Sequence, residues 1–156
     1  MSEAADISTS RLGDAARFDE VLALVHDAFG GLEPPSSVLS ETMADIKQRF
    51  GAGPILIAEA DGRMVGSVFC ALKDDALYLT RLATRPAWRR QGVGRALMVA
   101  AEAQARAIGL ERLTLRVRVS LPENRRYFER LGFTVTGQGR EGGRAPFFTM
   151  ERRLAR

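Results

Sequence analysis

The sequence predicts an α/β (α+β) fold in which one mixed, mostly antiparallel sheet carries helices on both faces. Apolar residues recur every three to four positions in some segments and every second position in others, which gives the order β-α-α-β-β-β-α-β-α-β-β. The chain has 156 residues, and 46% of them are hydrophobic. This is enough apolar material for one domain over residues 1–156.

The N-terminal third is predicted to hold one strand and two helices. Residues 7–12 form the strand, and Asp14 is the N-cap of a helix that runs to about residue 29. The apolar positions of this helix are spaced by one, three or four residues: Phe18, Val21, Leu22, Val25 and Phe29. Residues 31–37 are a predicted loop, and a weaker helical pattern covers residues 38–50.

The middle of the chain predicts an antiparallel meander of three strands. The strands cover residues 55–59, 64–72 and 76–84, and the turns between them lie at 61–62 and 73–75.

The C-terminal half alternates helices and strands. Residues 92–108 show a clear helical pattern that ends at Gly109, and residues 113–119 alternate apolar with polar side chains, as a half-buried strand does. The remaining elements are a helix at 122–131 and two strands at 133–138 and 147–154, around the loop 139–143.

Charge is distributed unevenly along the chain. Residues 1–80 hold 6 Lys/Arg against 13 Asp/Glu, whereas residues 81–130 hold 12 against 4. A basic block in one domain favours a polyanionic partner, either nucleic acid or a phosphate-rich cofactor, although arginines on solvated faces would give the same count.

Several classes of protein are excluded by what the chain lacks. One cysteine, Cys70, and one histidine, His26, supply neither an internal disulfide nor the ligands of a zinc site, so no metal is predicted. The sequence contains no apolar stretch of about 20 residues and begins with an acidic segment, so neither a membrane span nor a signal peptide is expected. We therefore expect a soluble cytoplasmic protein.

A strand leads directly into a glycine-rich helix start at residues 82–97. The first amides of a helix lack internal partners and carry partial positive charge, so a pyrophosphate binds there when glycines leave room for it. The dinucleotide fingerprint fails because Leu97 stands where it requires Gly or Ala, and a Gly-Lys-Ser/Thr loop is missing. The alternative role of these glycines is to pack the helix against the sheet.

The pattern Arg89-x-x-Gly92-x-Gly94, with Tyr-Phe-Glu-Arg-Leu-Gly-Phe at residues 127–133 downstream, resembles the GNAT superfamily of N-acetyltransferases over nearly the whole chain. The resemblance implies that the pantetheine arm of acetyl-CoA pairs with the strand backbone like an added strand. The strand residues are Leu82, Ala83 and Thr84. The pyrophosphate would be held by Arg89, Arg90, Gln91, Gly92, Val93, Gly94 and Arg95.

The resemblance also implies cofactor contacts at Asn124 and Phe128, although a polar first-turn residue of a helix would explain Asn124 equally well. Many relatives carry a tyrosine at the position of Phe128, where its hydroxyl protonates the departing CoA thiolate. Tyr127 is the candidate acid here, but adjacent helix residues point about 100° apart. Its alternative role is to pack beside the cofactor.

The general base is not evident. An amine with a pKa near 10.4 must lose a proton before it attacks, yet the strand at 76–84 has no acid, and the nearby carboxylates are Asp74, Asp75 and Glu59. His26 is expected to be a surface or hydrogen-bonded histidine, and Cys70 a core residue. If Arg116 and Arg118 line the acceptor cleft, they favour an acidic acceptor.

Three functions compete. The first is acetyl transfer to a small-molecule or peptide amine, and the second is a CoA-binding sensor that has lost catalysis. The third, nucleic-acid binding, is disfavoured because the basic block has few aromatic residues to stack on bases. The acceptor pocket is expected from residues 30–37, the second helix and the loop 139–144. The resemblance implies a homodimer through the C-terminal strands.

Overall fold

The computed structural model describes residues 6–30 and 40–154. In these ranges the helices are α1 (Phe18–Phe29), α2 (Met43–Ala52), α3 (Val93–Ala107) and α4 (Pro122–Arg130), and 3-10 turns lie at Ala15–Arg17 and Pro86–Trp88. The strands are β1 (Ser8–Arg11), β2 (Ile55–Ala60), β3 (Arg63–Lys73), β4 (Ala76–Thr84), β5 (Arg112–Arg118), β6 (Thr134–Gly139) and β7 (Phe147–Arg153).

In the described part of the chain the strands form a seven-stranded sheet in the order β1-β2-β3-β4-β5-β7-β6. Strand β4 runs parallel to β5, whereas the pairs β1–β2, β2–β3, β5–β7 and β6–β7 are antiparallel. The predicted mixed, mostly antiparallel sheet is confirmed. The turns of the meander lie where they were expected, because Asp61, Gly62, Asp74 and Asp75 all have the positive φ angles that tight hairpin turns require.

The described residues group into two compact units. The first joins residues 6–30 and 40–71 to Arg81–Ala101, and the second joins Leu72–Thr80 to residues 102–154. Strand β4 and helix α3 therefore contribute residues to both units. The assignment of residues 1–156 to one domain stays a prediction.

Helix α1 of the first unit follows its predicted cap. The Asp14 carboxylate accepts a hydrogen bond from the Ala16 amide at 2.9 Å, and a 3-10 turn leads into the helix at Phe18. Phe18, Val21 and Val25 are buried as the spacing predicts, and Leu24 joins them. This buried face anchors the helix on the sheet.

Helix α2 begins later than predicted. Residues 38 and 39 lie outside the described ranges, and the helix starts at Met43 because Thr42 forms a capping box with Asp45. The Thr42 hydroxyl accepts from the Asp45 amide, and the Asp45 carboxylate accepts from the Thr42 amide at 2.8 Å. The helix also continues past residue 50 to Ala52. The predicted loop at 31–37 lies outside the described residues.

Helices cover both faces of β2 and β3 in the first unit. Gly66 pairs with Ala58, and a Cβ at Gly66 would lie 2.4 Å from Val93 Cγ1 of α3. The neighbouring residue Ile57 packs in one cluster with residues of α1 and α2, such as Val21. Since successive side chains of a strand point to opposite faces, α3 lies on one face and α1 and α2 on the other.

The second unit has the predicted alternating strand. Leu113, Leu115 and Val117 of β5 are buried, whereas Arg116 lies on the other face. Helix α4 ends before Gly132, which has φ of +92°. Phe133 follows it into the core with 1% of its surface exposed.

Helix α3 ends at Ala107, one residue before the predicted end at about residue 108. Ile108 belongs to the following turn and is 51% exposed, whereas Ala105 inside the helix is buried. In the described ranges, every helix is too short or too polar to cross a bilayer.

Candidate active site

The first backbone amides of α3 have no hydrogen-bond partner inside the helix. The first helical hydrogen bond runs from the Ala96 amide to the Gly92 carbonyl at 2.9 Å, so the amides of Val93, Gly94 and Arg95 have no acceptor inside the helix. Gly92 has φ of +87°, and a Cβ built on it would meet no atom within 4 Å. Glycine is therefore suited to this position because it adopts a positive φ without strain, and the space in front of the positively polarised amides is open.

The arginines before and after this turn differ in the hydrogen bonds that their side chains make. Arg89 Nη2 donates a hydrogen bond to the Ala28 carbonyl near the end of α1 at 3.0 Å. Arg90 and Arg95 are exposed, and within the described ranges their side chains have no hydrogen-bond or ion-pair partner. Two guanidinium groups beside the helix start are thus available to an anion, while Arg89 anchors the turn.

Two further contacts hold the turn in place. Arg85 Nε donates to the Met64 carbonyl at 2.9 Å, and Gln91 Nε2 donates to the Ala87 carbonyl at 3.1 Å. Val93, the first residue of α3, is buried, with 1% of its surface exposed. These contacts therefore stabilise the conformation of the chain at the start of α3.

Strand β4 changes its course before the residues predicted to pair with pantetheine. Its ladder with β5 consists of the pairs Leu77–Leu113 and Tyr78–Thr114. Arg81 then has φ of +56°, in the left-handed region that non-glycine residues rarely adopt. Among the residues that follow, Ala83 is buried, and its neighbours on both sides are half-buried.

A buried carboxylate that the sequence did not single out lies in the first unit. The side chain of Glu41 is 4% exposed, and its two oxygens accept from Arg49 Nε at 2.7 Å and Arg81 Nε at 3.1 Å. Its partners are 8 and 40 residues away. No local pattern in the sequence indicates this cluster.

Helix α4 holds the other predicted site residues. Asn124 is exposed in the first turn, whereas Tyr127 and Phe128 are half-buried. The ring of Phe128 contacts those of Tyr127 and Phe133 edge to face, with centroids 5.1 and 5.7 Å apart. Phe128 therefore packs toward the core of the second unit.

The candidate general bases differ in their surroundings. Glu59 is paired with Arg17 at 3.1 Å, and Asp74 and Asp75 lie in an exposed turn. His26 is hydrogen-bonded, as expected, because its Nε2 lies 2.9 Å from the Glu41 carbonyl oxygen. Cys70 is buried, with 3% of its surface exposed, which confirms it as a core residue, and this burial raises the pKa of its thiol to about 12.

Arg116 does not offer a free charge to an acidic acceptor. Its Nη1 lies 2.5 Å from Glu141 Oε1, and its guanidinium lies 4.3 Å from the centre of the Phe147 ring. This hydrogen bond lowers the pKa of Glu141, so the carboxylate stays ionised and neutralises Arg116. The contact also ties the loop after β6 to β5.

A cleft of about 580 Å³ borders the turn before α3. Its walls come from α1, the start of β3 and the 3-10 turn: Glu20, Asp27, Gly62, Arg63, Met64, Arg85, Pro86, Ala87 and Trp88. The half-buried Trp88 thus lines this cleft. Its charges are mixed in sign, unlike those of the helix start.

Together these features define a class: an α/β protein whose fourth strand leads through a glycine-rich, arginine-flanked turn into a helix N-terminus. Residues 18–133 match the acetyltransferase (GNAT) family. The chain belongs to this family, and the resemblance inferred from the sequence is confirmed.

Individual relatives agree with this assignment. The probable N-acetyltransferase 14 of Danio rerio is 30% identical over 97 residues, which cover 60% of this chain and 35% of that protein. The match thus spans about a third of that relative's length.

Solved structures share the fold. The ribosomal-protein-S18-alanine N-acetyltransferase of Escherichia coli superposes with a TM-score of 0.78 at 21% identity, covering 97% of this chain and 96% of that chain. The PaiA N-acetyltransferase of Thermoplasma acidophilum, solved in complex with coenzyme A, gives 0.79 at 17% identity, covering 96% and 99%. At these identities the likeness shows the fold alone.

Proposed function

We propose that this chain is an acetyl-CoA-dependent N-acetyltransferase that transfers an acetyl group directly to a primary amine of a small molecule or peptide. The observation that carries the proposal is the helix start of α3. There a left-handed Gly92 precedes backbone amides that have no acceptor inside the helix, and the side chains of Arg90 and Arg95 have no partner among the residues that the structure describes. This arrangement suits the pyrophosphate of a CoA thioester in a chain of the GNAT family.

Roles for the remaining residues follow the family resemblance. The backbone of Leu82, Ala83 and Thr84 would pair with the pantetheine arm, and the segment 89–95 would hold the pyrophosphate. From the second unit we propose Asn124 and Phe128 as further cofactor contacts.

In the reaction, a neutral amine nitrogen attacks the thioester carbonyl carbon. A C–N bond forms, the C–S bond breaks, and the thiolate leaves with the electron pair. The amine must give up one proton, and the thiolate takes one up. The thiolate of CoA, whose conjugate thiol has a pKa near 8.5, is a tolerable leaving group even without a general acid. Tyr127 is therefore a candidate acid, but we expect turnover to continue without it.

Two substitutions on α4 test the role of Tyr127. We expect Tyr127→Phe to lower the turnover rate by less than about threefold, and Phe128→Tyr to keep or raise it, because no acid is required for a good leaving group. The measurement is CoA thiol release with a panel of amines, alongside CoA affinity. A hundredfold loss for Tyr127→Phe at unchanged affinity would identify Tyr127 as the acid.

The cofactor is tested by thermal unfolding with acetyl-CoA, CoA, ATP and NAD at equal concentrations. A ligand at about 100 times its dissociation constant adds roughly 2.7 kcal/mol to the free energy of unfolding. We expect acetyl-CoA and CoA to raise the melting temperature by several degrees, and ATP and NAD to leave it unchanged. No shift with either CoA ligand would refute the proposal.

The second candidate function is a CoA-binding sensor or interaction module with weak or absent catalysis. Phe128 at the usual tyrosine position and the absence of an acid on β4 favour it. Tight CoA binding without thiol release, across a wide panel of amines, would support this function over acetyl transfer.

Location and assembly are part of the proposal. We propose a cytoplasmic location on the basis of the sequence analysis. On the basis of the family resemblance we propose a homodimer that forms through the C-terminal strands.

A further inference from the structure

Arg81 is an irregular residue in the middle of β4. Its φ of +56° lies in the left-handed region, where the Cβ of an ordinary residue crowds the backbone. Such a conformation persists only when surrounding contacts stabilise it. It occurs one residue before Leu82, the first of the three residues that the proposed function pairs with pantetheine.

Glu41 supplies the stabilising contact. Its side chain is 4% exposed, and its Oε2 accepts from Arg81 Nε at 3.1 Å. The same carboxylate is held from α2 by Arg49 Nε at 2.7 Å, and the Glu41 backbone carbonyl oxygen lies 2.9 Å from His26 Nε2 of α1. Glu41 is therefore tied to two helices as well as to the strand.

The ion pair and the backbone conformation depend on each other. If Arg81 returned to an extended conformation, its Cα–Cβ bond would turn and withdraw the guanidinium from Glu41. The buried carboxylate would then keep only Arg49 of these two arginines, which is unfavourable for a charge removed from water. Glu41 thus resists straightening of β4 at Arg81.

We propose that Glu41 is a positioning residue of the acetyl-CoA site: through Arg81 it sets the course of the backbone at Leu82, Ala83 and Thr84. This inference rests on the proposed function. Both carboxylate oxygens of Glu41 accept hydrogen bonds from guanidinium groups, so the residue acts through Arg81. It also explains why an arginine occupies a position whose backbone would suit glycine.

Two substitutions of Arg81 separate positioning from stability. Arg81→Ala and Arg81→Gly both remove the ion pair and both leave Glu41 with Arg49. Of these two replacements, only glycine adopts a positive φ without strain. We expect Arg81→Gly to bind CoA within about threefold of the native protein and Arg81→Ala to bind it about tenfold more weakly. The measurement is the dissociation constant of CoA by isothermal titration calorimetry, with melting temperatures recorded for each variant.

A double variant tests whether Glu41 acts through Arg81. Adding Glu41→Ala to Arg81→Gly is expected to leave CoA affinity unchanged, because the strand no longer needs the ion pair. Arg49→Met serves as the control: it removes the other partner of Glu41, and CoA affinity is expected to stay within about threefold. Its melting temperature reports the stability contributed by the cluster.

The outcomes distinguish the two proposals. Equal CoA affinities for Arg81→Ala and Arg81→Gly, with a native protein that binds CoA, would overturn the positioning role alone. A native protein that binds no CoA would overturn the proposed function and this inference with it.

Discussion

Replacing Gly92 with glutamate is expected to weaken acetyl-CoA binding by at least about a hundredfold, because the carboxylate would stand where the pyrophosphate approaches. The space is present, since a Cβ at Gly92 would meet no atom within 4 Å. The loss therefore comes from charge and from backbone strain at φ of +87°, not from a clash inside the protein. Calorimetric titration with acetyl-CoA measures the effect.

Gly109→Glu is the matched control. Gly109 follows the other end of α3, has φ of +81°, and also has no atom within 4 Å of its would-be Cβ. Both variants carry the same left-handed strain and the same added charge, so both lose stability. Only Gly92→Glu is expected to lose CoA affinity. A folded Gly92→Glu protein with native affinity would refute the pyrophosphate site.

Gly66→Val is expected to destabilise the protein by about 3 kcal/mol, which corresponds to a fall in melting temperature of roughly 6–12 °C. A Cβ at Gly66 would lie 2.4 Å from Val93 Cγ1 and 3.1 Å from the Ala83 carbonyl oxygen. The added side chain would push the first turn of α3 away from the sheet. We therefore also expect weaker CoA binding at temperatures where the variant is folded.

Gly137→Val provides the comparison for Gly66→Val. Gly137 lies in the exposed strand β6, and a Cβ there would meet no atom within 4 Å. Its melting temperature and CoA affinity are expected to stay close to those of the native protein. If Gly66→Val behaved in the same way, α3 would not depend on close contact with β3.

Local chemistry made much of the fold predictable. The alternation in β5 places Leu113, Leu115 and Val117 in the core, because a strand has a period of two whatever lies elsewhere. The start of α2 was missed even though its signal is present: Thr42 and Asp45 have the spacing of a capping box. An apolar pattern alone extended this helix too far toward its N-terminus.

The candidate site was predictable where it depends on neighbours in the chain. Gly92 and its arginines follow one another in the sequence, and their left-handed turn and open amides are local features. Arg116 is different, because its partner Glu141 is 25 residues away. The alternation showed which face it occupies but not that its charge is neutralised.

The sequence by itself determined the order of elements, the turns of the meander and the helix start of α3, since each depends on residues within a few positions. Only the tertiary structure revealed the cluster of Glu41, Arg49 and Arg81 and the left-handed Arg81 within an otherwise regular strand. Burying a carboxylate is favourable only when distant guanidinium groups converge on it, and that convergence is decided by how helices and strands pack.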